Sequence, residues 1–121
     1  DLHLLSRRQR QMCIRDSVNV LGEYGGIGLP MEGHLWWNKR NWGYVQFKTP
    51  EEVTAEYEKY AKSLIKYVRL GFSGAVYTQT TDVEGEVNGL FTYDRTAIKP
   101  DANAVRSVNA ALAAEFARII K

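Results

Sequence analysis

The stretch Val18-Asn19-Val20-Leu21-Gly22-Glu23-Tyr24-Gly25-Gly26 decides how the rest of this 121-residue chain is read. Val18 to Leu21 is a short apolar, β-branched run of the kind found in buried strands. It delivers one carboxylate, Glu23, to its C-terminal tip, and Gly25 and Gly26 let the backbone turn sharply behind it. In a barrel of parallel strands that tip is where chemistry sits. A carboxylate on a strand end is held more rigidly than one on a loop, as a nucleophile requires. Taken by itself, the motif also reads as a solvated glutamate at a strand-to-loop junction.

Downstream the chain alternates. Gly25 to Lys48 is a long aromatic-rich segment with little periodicity, and its three Trp argue against disorder. Thr49-Pro50-Glu51-Glu52 then opens a helix, with Thr49 as cap, Pro50 in the first turn and Glu52 completing a capping box. Val53, Tyr57, Tyr60, Ala61, Leu64, Ile65 and Val68 form its apolar stripe, and Gly71 is its natural stop. Phe72 to Gln79 is small, β-branched and aromatic, as expected of a buried parallel strand. Pro100-Asp101 begins a last helix whose Val105, Val108, Leu112, Phe116, Ile119 and Ile120 share a face. Two βα units can neither close a sheet nor cover both its faces. The expectation is therefore α/β, as a piece of a larger doubly wound sheet or of an eight-stranded barrel, for which about 250 residues is typical.

The first 17 residues stand apart. Arg7-Arg8-Gln9-Arg10-Gln11-Met12-Cys13-Ile14-Arg15-Asp16-Ser17 resembles one reading frame of a transposon-end adapter used for sequencing libraries. Residues 1–17 are accordingly expected to be disordered and foreign to the fold, which leaves 18–121 as the domain portion. Four of the 16 Lys and Arg and two of the 14 Asp and Glu lie in that stretch, so the body carries 12 of each and no net charge. The single cysteine goes with it. Neither a basic nucleic-acid footprint nor an acidic tail survives, so no nucleic-acid partner is expected. No apolar run approaches the roughly 20 residues that cross a bilayer, so no membrane partner is expected either. Taking the basic arm as native would instead suggest a nucleic-acid-binding domain.

Val20 to Gly26, the aromatic loop through Gly33-His34-Leu35-Trp36 and Asn41-Trp42-Gly43-Tyr44, and Ala75-Val76-Tyr77-Thr78-Gln79-Thr80-Thr81-Asp82-Val83-Glu84 together resemble the end of a glycoside hydrolase family 2 catalytic barrel. That family includes β-galactosidases, β-mannosidases and β-glucuronidases. The resemblance covers essentially all of 18–121, as the last two βα units of a (β/α)8 TIM barrel. It implies a retaining, β-galactosidase-like glycosidase acting on a carbohydrate substrate without a cofactor, with Glu23 at the nucleophile position. The family's acid/base residue follows an Asn near the end of the fourth strand, and no matching segment precedes Val18. The resemblance thus gives this chain one half of a catalytic pair, and the chain alone is expected to be inactive.

Other positions are weighed beside it. Tyr24 follows Glu23 on the strand, faces the opposite side and reads as packing. His34, Trp36, Trp37, Trp42 and Tyr44 crowd one loop. Aromatic faces suit sugar rings, and they also roof a barrel mouth simply by burying themselves. His34 and Trp36 are the favoured substrate contacts. No second His, Cys or carboxylate stands at metal-ligand spacing from His34, so no metal is expected. The resemblance places Tyr77 as an aromatic floor of the sugar site, with Gln79 on the same face. Asp82, Glu84 and Glu86 read as a solvated acidic loop tip, of which Asp82 is nearest the strand end and the candidate substrate contact. Asp94-Arg95 reads as a local ion pair. A noncatalytic carbohydrate-binding or interaction module, using the aromatic loop alone, is the alternative function.

Overall fold

The computed structural model describes residues 18–120. The expectation of a disordered, adapter-derived stretch over 1–17 lies outside the described residues. The elements run β1 (Asn19–Gly25), β2 (Ile27–Gly28), β3 (Val45–Gln46), α1 (Pro50–Arg69), β4 (Phe72–Thr78) and α2 (Ala102–Ile119). The chain is mixed α/β. β1 pairs with β4 in parallel, and the two-residue strands β2 and β3 form a second small parallel pair inside the aromatic segment.

The Thr49 half of the capping box forms at the start of α1, while Glu52 reaches past the cap to Lys48. Thr49 has extended dihedrals, its Oγ1 accepts from the Glu52 N–H at 3.2 Å, and Glu52 Oε1 accepts in turn from the Lys48 N–H at 3.3 Å. Val53, Tyr57, Tyr60, Ala61, Leu64 and Tyr67 are the buried positions of the helix. The stripe therefore ends on Tyr67, whose ring meets Phe72 at 5.6 Å, while Ile65 and Val68 are only half-buried. Spacings of four and three along 53, 57, 60, 64 and 67 keep one line facing the sheet, and Tyr67 continues that line where Ile65 and Val68 drift off it. Gly71 takes a φ of +101°, the left-handed conformation that stops a helix at little cost only in glycine.

α2 is capped by Asp101, whose carboxylate accepts from the Asn103 and Ala104 N–H groups. Three contacts tie it to α1. The Asp101 N–H donates to Thr54 Oγ1 at 2.9 Å, the Tyr57 hydroxyl to Asn109 Oδ1 at 2.9 Å, and Arg69 Nε to Glu115 Oε1 at 2.9 Å. Val105, Val108 and Leu112 pack against the core, whereas Phe116, Ile119 and Ile120 at the far end of the same face stay exposed.

Both helices lie on one face of the β1–β4 sheet. The core there is Leu21, Ile27, Leu29, Val53, Tyr57, Tyr60, Leu64, Tyr67 and Phe72. Val20 and Val76, on the other face, are 39% and 56% exposed. Beside β4 an apolar groove of about 280 Å³ opens between the two helices, lined by Leu64, Phe72, Ala75, Leu112 and Phe116 among others.

One ionic bridge reports on helix packing. Glu115 lies 2.6 Å from Arg118 Nη2 and 2.9 Å from Arg69 Nε, and these two guanidinium groups pull its carboxyl from the ordinary 4.5 down to about 2. A depressed carboxylate stabilises the fold above its ordinary range, and that contribution is lost as pH falls toward the folded-state value. A side-chain carbon titration of Glu115 is expected to show a midpoint near 2, rising in Arg69→Met; a midpoint that Arg69→Met leaves unchanged would mean that the α1–α2 bridge does not form.

Candidate active site

Glu23 sits in a break of the β1–β4 register. Leu21 pairs with Ala75 and Tyr24 with Tyr77, so Gly22 and Glu23 together oppose Val76. Such a two-against-one bulge bends the strand and re-aims a side chain. Leu21 and Tyr24 thereby both face the helices, and Glu23, adjacent to Tyr24, is turned to the open side. It is exposed, and among the described residues it has no hydrogen-bond or ion-pair partner.

Tyr24 is a packing residue. Its ring meets Tyr77 edge-on at 5.2 Å, and Tyr77 in turn lies 5.3 Å from Tyr57 of α1. Burial raises both the Tyr24 and Tyr77 phenols well above their ordinary range. The expectation that Tyr77 floors a sugar site is corrected by its surroundings: its ring faces the helix layer, and its hydroxyl is sealed from solvent with no hydrogen-bond partner among the described residues. The physical reason lies in β4 itself, which carries an extra residue between Phe72 and Gly74 opposite Asn19 and Val20, so that Ala75 and Tyr77 fall on the same helix side as Phe72.

Parallel pairing sends the chain out of β1 and β4 at the same end, and the two following loops are knitted together there. The Gly26 N–H donates to Thr78 O at 2.7 Å, Leu29 N–H to Val87 O at 2.9 Å, Trp42 N–H to Gly85 O at 2.8 Å and Val87 N–H to Trp42 O at 2.8 Å. Gly26 has a φ of +71°, and a Cβ there would fall 2.7 Å from the Tyr44 ring. Tyr44 thus lies directly on the backbone just past Glu23, with Trp42 edge-on to it at 5.6 Å, and both rings are exposed. These two aromatics sit nearest the β1 tip along the chain of contacts. The signal in the sequence was Gly26 itself, a position that leaves room for a ring.

His34 and Trp36, the favoured contacts, form a second cluster. His34 Nδ1 lies 2.9 Å from Asp94 Oδ2 and 3.0 Å from Thr96 Oγ1. Asp94 also accepts from Thr92 Oγ1 at 2.6 Å and from the Thr96 hydroxyl and N–H. Bonds from Thr92, then His34, hold this carboxyl well below the usual carboxylate range. Since a carboxylate can only accept, His34 Nδ1 carries the proton. Trp36 meets Tyr93 edge-on at 5.5 Å. The expected local Asp94-Arg95 pair is thus replaced by a link to His34 across the two loops.

Asp82 is not on a solvated loop tip. It is 5% exposed, and its Oδ1 takes Lys99 Nζ at 2.7 Å and the Gly89 N–H at 2.8 Å. Lys99 Nζ also donates to Val87 O at 2.9 Å, and Lys99 is 2% exposed. Burial pushes the Asp82 carboxyl up and the Lys99 ammonium down, with their pairing opposing both shifts. Asp82 therefore fastens the loop after β4 from within and does not face a ligand. No local motif announces a partner this far along the chain. Gln79 stands at the tip of β4, and its Nε2 donates to Asn88 Oδ1 at 2.7 Å.

Among the described residues, no group of three or more His, Cys, Asp or Glu is placed to hold a metal ion, and no helix is long and apolar enough to cross a membrane. Compared with known proteins, the chain matches no family model and no curated protein.

The buried pair gives a direct test of how the loops are held. Lys99→Met strands the Asp82 carboxylate, and denaturant unfolding is expected to show a loss of roughly 3 kcal/mol. Combining it with Asp82→Leu should recover most of that loss, because both charges are then gone. A single variant as stable as the wild type would remove the pair from the account of loop stability.

Proposed function

We propose that this chain supplies the nucleophile side of a retaining β-glycosidase site, as the last two βα units of a (β/α)8 barrel of the glycoside hydrolase family 2 kind. The observation that carries the reading is the placement of Glu23. It is an exposed carboxylate without a partner among the described residues, on the C-terminal part of a parallel strand, opposite the helix layer. The bare Val20 and Val76 face supports the same reading, because parallel sheets are ordinarily covered on both faces and a barrel covers the second face with its other strands. The exposed rings of Tyr44 and Trp42 beside the strand exit offer the apolar faces on which a sugar ring packs.

In this mechanism a Glu23 oxygen attacks the anomeric carbon and the bond from that carbon to the departing oxygen breaks. An acid outside the described residues, about 5–5.5 Å from Glu23, gives its proton to the leaving oxygen. Water, deprotonated by the same group, then displaces Glu23 and releases the sugar with retained configuration. The substrate class is a β-glycoside, with β-galactoside as the expected sugar.

The test uses the full-length parent protein. Glu23→Gln is nearly isosteric and should lower turnover of an aryl β-galactoside by roughly 10⁴-fold or more while leaving the fold intact. A 2-deoxy-2-fluoro glycoside should label Glu23, as read by peptide mass spectrometry. Labelling at another carboxylate would remove Glu23 from the chemistry. Sugar binding without any wild-type hydrolysis would replace the reading with that of a noncatalytic carbohydrate-binding module.

A further inference from the structure

Gln79 leaves β4 beside the exit of β1, since Gly25 pairs with Thr78 and the Gly26 N–H donates to the Thr78 carbonyl. Its backbone is fixed on both sides: its N–H donates to Asn88 O at 3.4 Å and its carbonyl accepts from the Leu90 N–H at 3.1 Å. The side chain is fixed as well. Gln79 Nε2 donates to Asn88 Oδ1 at 2.7 Å, and Asn88 Nδ2 donates to Glu86 Oε1 at 3.0 Å. Asn88 is 0% exposed, and reciprocal bonds between the Val83 and Glu86 backbones hold the start of this segment in place.

The direction of this relay follows from its last member. A carboxylate can only accept, so Glu86 requires an N–H from Asn88. That turns the Asn88 side-chain oxygen toward Gln79, and Gln79 must answer with its own NH₂. Reversing both amides would aim the buried Asn88 oxygen at the Glu86 carboxylate, an acceptor against an acceptor. What remains is Gln79 Oε1. Among the described residues it has no donor, and it is not sealed from solvent. An unrestrained glutamine offers a ligand either a donor or an acceptor. In this one the oxygen is fixed as an open acceptor, while one N–H of Nε2 is engaged by Asn88.

We propose that Gln79 is a specificity-determining residue that accepts a hydrogen bond from a substrate hydroxyl through Oε1, with Asn88 and Glu86 as the residues that position it. The proposal rests on the glycosidase reading and deepens it. The substrate is a sugar with a free hydroxyl at the β4 tip, and a substituent there that accepts without donating is rejected.

The test compares kcat/KM of the full-length enzyme on 4-nitrophenyl β-glycosides of the sugar it cleaves, with the 3-, 4- or 6-hydroxyl replaced singly by fluorine. Fluorine's electronic effect on the reaction is common to all variants and cancels between them. One position is expected to carry a penalty about tenfold larger in the wild type than in Gln79→Met, the size of one hydrogen bond. Glu86→Leu frees both amides to turn, so the same penalty should shrink. Glu86→Gln keeps an acceptor for Asn88 and should restore it. Should Gln79→Met fail to fold, the Glu86 pair of variants makes the same comparison. A uniform loss on all three analogues, the mark of a purely structural role, overturns the proposal, and so do penalties that ignore Gln79 and Glu86. If cleavage depends on Glu23 and the penalties do not depend on Gln79, this inference alone falls. If the wild type cleaves no β-glycoside, or Glu23→Gln retains turnover, the glycosidase reading falls and takes this inference with it.

Discussion

Parallel pairing of β1 with β4 is the constraint from which the rest of the structure follows. Two parallel neighbours must be joined by a crossover, which α1 supplies, and both must release the chain at the same end. The loops over 26–49 and 79–101 are therefore obliged to meet, whatever their sequences. The bond from the Gly26 N–H to Thr78 O is the first contact between them, and everything placed beside Glu23 is built outward from it.

Loops of this length carry many backbone polar groups and little regular structure, a combination that compact domains ordinarily avoid. Here the groups are satisfied both within each loop, as where Val45 and Phe47 bond to Gly26 and Gly28 and Leu90 bonds to Gln79, and across the two. Trp42 and Val87 bond to residues of the opposite loop, His34 reaches Asp94 and Thr96, and Trp36 packs edge-on against Tyr93. Within the second loop, Asp82 and Lys99 form a buried ion pair. Desolvation costs both charges, and the pair is held together by a direct 2.7 Å contact plus the Gly89 and Val87 backbone groups. The result is a firm platform of aromatic rings and oriented amides at the strand ends, with the Glu23 carboxylate left unengaged among the described residues.

The helices were legible because their signals are local. Thr49 and Glu52 act within one turn, Asp101 caps within three residues, and the stripe from Val53 to Leu64 needs only the helical period. The end of that stripe was less legible: aliphatic Ile65 and Val68 looked like core, yet Tyr67 is the position that the sheet meets. The candidate site was legible only in part. That Tyr24 faces away from Glu23 followed from alternation along a strand, whereas which of the two turns to the helices is decided by the bulge between Leu21 and Tyr24. The side on which Tyr77 falls did not follow from alternation, because it depends on an irregularity of register between Phe72 and Gly74 in its own strand. Asp82 and Asp94 were read from their immediate neighbours, whereas their partners Lys99 and His34 lie far away in the chain.

The amino-acid sequence by itself determined the order of the long elements, strand, helix, strand, helix, the caps at the helix starts, and a carboxylate near the end of the first strand, since each depends on residues within a few positions of one another; the short strands β2 and β3 carry no such local signal. Tertiary structure alone decided which acidic groups are spent in buried or cross-loop pairs, which aromatic rings lie next to the strand exit, and which end of the Gln79 amide is engaged by Asn88. Those outcomes depend on register and on contacts between the two loops, and no local pattern encodes how distant segments of a chain come to face each other.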